Sequence, residues 1–160
     1  MMESYPKLES YLALAAKSDS SSYYGFEKIE SGVFLRACYF PGACLLDKRH
    51  CKHVIGLDGT HLKGDMNKRG VYWLAASKDY NNRILVFGLA LVENEDTLNW
   101  RWFLEHMKAA VASASSDWDP TFVTNRQKGI LAAITELYPD RGHRFCARHI
   151  IGNAKKCLRD

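Results

Sequence analysis

The chain has 160 residues, 47% apolar and 25% charged, with a formal net charge of +4. That length suits one domain whose core buries roughly 70% of the unfolded surface, and the composition excludes a disordered chain. No apolar run is long enough to cross a bilayer, no basic and apolar leader opens the chain, and a charge this small permits nucleic-acid contact without arguing for it.

Apolar residues at helical spacing, Leu8, Tyr11, Leu12 and Ala15, predict a helix over Pro6 to Lys17, closed by the serine run. Tyr23 to Glu30 and Val33 to Phe40 read as a hairpin around Ser31-Gly32. Residues 1–50 thus form a lead-in, and residues 51–160 the main domain. Val54 to Leu57 is a short buried strand ending at Asp58, and Gly59 and Gly64 break the chain after it. Val71 to Ser77 and Arg83 to Val92 follow as strands around the turn formers Asp79 to Asn82, which gives an antiparallel meander.

A helix capped by Asp96 or Thr97 comes next, with an apolar stripe from Leu98 to Val111. Ala114 to Asp119 is a polar loop and Thr121 to Thr124 a fourth strand. Arg126 to Leu137 is a helix, His143 to Phe145 a fifth strand, and Cys146 to Leu158 a last helix. Strands joined by helical crossovers lie parallel, so an α/β fold with a mixed five-stranded sheet and flanking helices is expected.

Asp58 is the first candidate for chemistry. A carboxylate at the carboxyl end of a central strand is placed to hold a cation, and equally to cap its own turn before Gly59. The end of the fourth strand carries Asn125, a neutral oxygen where a carboxylate would bring charge. Asp117 and Asp119 precede that strand and fall at its opposite end. Cys146 and His149 are half a zinc site, completed only if Cys51 and His53 come near; otherwise they simply pack. Trp100, Trp102 and Phe103 fit a core better than a base-stacking platform. His61, His106 and His143 show no acid–base arrangement. Five cysteines, Cys38, Cys44, Cys51, Cys146 and Cys157, are an odd number without a disulfide pattern, which favours a reducing compartment, cytosol or nucleus.

Taken in order, several segments resemble Mutator-like element transposases. They are Val54-Ile55-Gly56-Leu57-Asp58-Gly59-Thr60-His61-Leu62-Lys63-Gly64, then Ala75 to Asp79, Arg83 to Leu85 and Ala90 to Glu93. Asn99-Trp100-Arg101-Trp102-Phe103-Leu104, Thr124 to Ile130, Pro139 and His143 to His149 with Asn153 complete the set. The resemblance implies a ribonuclease-H-like fold, here truncated at its C-terminus. It also implies transposition of DNA by three acids holding two Mg²⁺ or Mn²⁺ ions, with transposon ends as partner, a nuclear location and a possible homo-oligomer.

In that scheme Asp58 is the first acid and Asn125 stands at the place of the second. The third falls beyond Asp160, which is itself too early to serve. Metal catalysis resting on anionic ligands is then expected to be lost. The resemblance makes Cys146 and His149 family features, zinc-binding or structural. Two further expectations follow from related families. One is a domesticated, non-enzymatic DNA-associated regulator, like the plant far-red-response regulators. The other is a nuclease whose remaining acid lies further along.

Overall fold

A computed structural model describes residues 5–46, 50–63, 70–114 and 119–158. Gly64, Asp117, Arg159, Asp160 and most of the loop after the long helix lie outside the described residues. The elements are α1 (Tyr5–Ser18), β1 (Tyr23–Lys28), β2 (Phe34–Phe40), α2 (Gly42–Leu46), β3 (Val54–His61), β4 (Val71–Lys78) and β5 (Ile84–Val92). They continue with α3 (Thr97–Ser113), β6 (Thr121–Thr124), α4 (Lys128–Leu137), β7 (His143–Phe145) and α5 (Ala147–Cys157).

All seven strands form one mixed sheet, in the order β1-β2-β5-β4-β3-β6-β7. The expectation of five strands is therefore corrected. The hairpin β1–β2 pairs antiparallel with itself and with β5, through Ala37 opposite Leu91 and Tyr39 opposite Leu89. The free edge of β5 offered unpaired backbone groups, and β2 satisfies them. The meander β3–β4–β5 is antiparallel, while β6 and β7 lie parallel to β3 and to each other, as crossover connections require.

One face of the sheet packs on α3 and α4. Strand β4 alternates strictly: Val71, Trp73, Ala75 and Ser77 are buried, and Tyr72 and Lys78 on the other face are exposed. Trp73 stacks on Trp100 of α3 with ring centroids 3.7 Å apart, and Phe103 stacks on Phe40 at 5.4 Å. Each such pair adds about 0.5–1.5 kcal/mol to the area it buries. The tryptophan-rich helix is therefore core: Trp100, Trp102 and Phe103 are buried and unavailable to a base, while Leu98 leaves the stripe at 73% exposed. Asp96 caps α3 by accepting a hydrogen bond from the Asn99 N–H.

Two boundaries differ from the sequence reading for local reasons. Strand β3 does not stop at Asp58 but runs to His61, because β4 supplies a ladder for residues 58–61. Helix α4 starts at Lys128 rather than Arg126, because Gln127 takes the N-cap position and accepts from the Ile130 N–H at 2.8 Å. The five-residue α2 after Pro41 was not foreseen; it is too short for periodicity to show. Tyr11, assigned to the apolar face of α1, is exposed, and Leu12 is the buried residue there.

Candidate functional site

Strands β3, β5, β6 and β7 all point their carboxyl ends to one edge of the sheet. Four chemically distinct side chains collect there: Asp58 on β3, Glu95 after β5, Asn125 after β6, and His149 in the first turn of α5 after β7. In open α/β sheets this edge is where ligands bind.

The register fixes the relation between the first and third of these. Ile55 pairs with Phe122 and Gly56 with Val123. Continuing that ladder by two residues sets Asp58 beside Asn125. The β6–β7 ladder, Thr124 with Phe145, sets Asn125 beside Cys146 in the same way. One row therefore crosses three strands: Asp58, Asn125, Cys146. Leu57 is buried on the helix-packed face, so period two turns Asp58 to the opposite face.

Asp58 has a side chain 52% exposed, and its Oδ1 lies 3.5 Å from His149 Nε2. The same oxygen accepts a hydrogen bond from the Gly59 N–H at 2.9 Å. Asp58 therefore bonds its neighbour's N–H within β3 while its side chain stays half exposed beside His149. His149 Nδ1 is buried without a hydrogen-bond partner.

Asn125 is more committed. Its Oδ1 accepts from the Gln127 N–H at 3.0 Å, closing a short turn before α4. Gln127 then ties two segments together: its Nε2 donates to the Glu95 carbonyl at 2.7 Å while its Oε1 caps α4. Gly129 permits the contact, since a Cβ there would meet the Thr97 nitrogen at 2.8 Å.

Glu95 and Gln127 are the residues that sequence reading passed over. The Glu95 Oε1 is buried and makes no hydrogen bond, and the indole nitrogens of Trp73 and Trp100 beneath the site are likewise without partners. Burial pushes the Glu95 carboxyl up from its ordinary range. Asn125, His61 and Trp100 oppose that shift, and Asp58 adds like-charge repulsion. Neither Asn125 nor Trp100 reaches hydrogen-bonding geometry with Oε1. A cue for Glu95 did exist, a carboxylate directly after an apolar strand, but the neighbouring Glu93 and Asp96 share it.

The family profile of the MULE transposase domain matches residues 54–153, more than half of the chain. The chain belongs to that family. No curated protein matches it.

Within the MULE domain the remaining candidates separate by place. Asp119 pairs with Arg141 near the amino end of β6, away from Asp58, as its position before the strand implied. Cys51 is buried in a bridge to Asp79, ahead of β3. A tight turn at Lys52–Val54 and the strand from Val54 to Asp58, roughly 13 Å, separate it from the level of Asp58. Cys51 and His53 precede β3 while Cys146 and His149 follow β7, and among the described residues no three of His, Cys, Asp and Glu come together. His106 bonds Tyr23 and His143 bonds Thr124, at 2.9 Å each.

The donor set does not fit a two-cation centre. Among the described residues, no three of His, Cys, Asp and Glu converge on one point. Asn125 offers only a neutral oxygen that already accepts a backbone hydrogen bond. Mg²⁺ demands near-octahedral, hard anionic oxygens, and Asp58 is the one exposed carboxylate in this row.

Proposed function

We propose that this MULE domain is a transposase-derived, nuclear DNA-handling domain in which metal-dependent strand cleavage has been lost. The observation that carries this is Asn125 in register with Asp58, at the place where the family resemblance puts a second acid. Replacing a carboxylate by an amide removes a full negative charge from a two-metal site. The cations then lose the ligand that holds them at the spacing needed for in-line displacement.

The strand order supports a ribonuclease-H-like core. Setting aside β1 and β2, the sheet runs β5-β4-β3-β6-β7, an antiparallel meander continued by two parallel strands after helical crossovers. The domain's partner is DNA and its place of action the nucleus, in keeping with a family of DNA transposases.

Calorimetric titration with Mn²⁺ tests the loss of the metal site. The expected result is no saturable binding below millimolar concentration. Saturable micromolar binding that disappears in Asp58→Ala would show that the site still works and that this function is wrongly assigned.

A further inference from the structure

The chain's positive charge is not spread evenly. Residues 141–159 hold six Arg or Lys and no Asp or Glu, which leaves sixteen basic against eighteen acidic residues in all the rest. The whole of the +4 charge therefore resides in β7, α5 and their flanks. Elsewhere basic residues are outnumbered by acids, and among the described residues three of them are paired: Lys28 with Glu9, Arg36 with Glu27, and Arg101 with Glu105 and Glu136. Among the described residues Arg144, Arg148, Lys155 and Lys156 are exposed and have no acidic partner; Arg141 does, in Asp119.

The placement of these charges matters as much as their number. Arg148 and Lys155 are seven residues apart, on one side of α5 and about 10 Å along its axis. His149 holds the first turn of that helix beside Asp58. The exposed guanidinium of Arg126 lies 5.7 Å from the centre of the half-exposed Phe145 ring, carrying the cationic surface off the helix and onto the β6–α4 turn.

We propose that the β7–α5 unit, extended by Arg126, is the surface on which a DNA backbone lies, passing Asp58. This rests on the DNA-handling function proposed above and names the face that performs it. The charge runs over a strand end, a turn and a helix, which suits a polyanionic strand better than a flat lipid surface. The exposed Ile150 and Ile151 on the same helix make lipid the alternative to be tested.

The experiment measures fluorescence anisotropy of a labelled duplex of arbitrary sequence with the 160-residue chain across a salt series. Two triple variants are compared, Arg144→Ala/Arg148→Ala/Lys155→Ala and the control Lys7→Ala/Lys17→Ala/Arg83→Ala, which remove equal charge from exposed positions. The wild-type affinity is expected to fall steeply with salt. The first triple is expected to lose at least tenfold in affinity and to flatten the log–log slope by about two to three, at roughly 0.9 per phosphate contact, with the control unchanged. Wild-type binding that both triples weaken equally, or that the first leaves intact, overturns this surface while DNA handling stands. No wild-type binding to DNA overturns both. Binding to vesicles of anionic lipid in preference to DNA, sensitive to the first triple, overturns DNA as the occupant.

Discussion

Asn125 and aspartate have nearly the same shape, so the change costs the fold little and the chemistry a full charge. The Asn125 Oδ1 is held by the Gln127 N–H, an interaction an aspartate would also make. Asn125→Asp is expected to fold and to be destabilised by on the order of 1 kcal/mol in EDTA, through repulsion from Asp58 and the nearby Glu95. Millimolar Mn²⁺ is expected to raise the Tm of that variant and to leave the wild type unmoved. A wild-type Tm that rises equally would mean that Asn125 is not the deficient ligand. Gln127→Ala removes both the α4 cap and the tether to Glu95, and is expected to cost about 1–3 kcal/mol in urea unfolding. Asp58 and Asn125 stand out in the sequence because an apolar run leads into each, although β3 carries on past Asp58 to His61. Glu95 and Gln127 were not, because their roles arise where two loops distant in sequence meet.

Periodicity exposed most elements, since the alternation of β4 and the stripe of α3 are each set by burial on one face. It did not reveal which strands pair, and so the hairpin β1–β2 was set apart from the sheet it extends. Its docking depends on small residues and one histidine. Gly88 lies under Phe40, where a Cβ would stand 2.4 Å from the ring. Gly88→Ala is expected to destabilise by about 1–3 kcal/mol through overpacking, measured by denaturant unfolding. His106 bonds Tyr23 Oη and faces Trp102, and burial lowers its pKa from 6.5. The unfolded chain then binds a proton that the folded chain refuses. The stabilising contribution is present above pH 6.5 and is lost as pH falls through the lower folded value. His143 shifts the same way, for the same first cause. Stability is expected to fall as pH drops below about 6.5, and His106→Gln to flatten that fall. An unaltered pH profile in the variant would contradict the assignment.

At the scale of the whole molecule, the sheet brings four segments to one edge and the charge concentrates beside it, while the metal-holding acids thin out there. On the function proposed above, that combination makes a domain that holds DNA without cutting it. The most direct test is a nicking assay on supercoiled DNA with the 160-residue chain and either Mg²⁺ or Mn²⁺, run beside Asp58→Ala. No cleavage above that of Asp58→Ala is the expected result, because a two-metal centre with an amide in place of a carboxylate no longer holds its cations for in-line displacement. Metal-dependent cleavage by the wild type that Asp58→Ala abolishes would contradict it and show that this edge still holds a working centre.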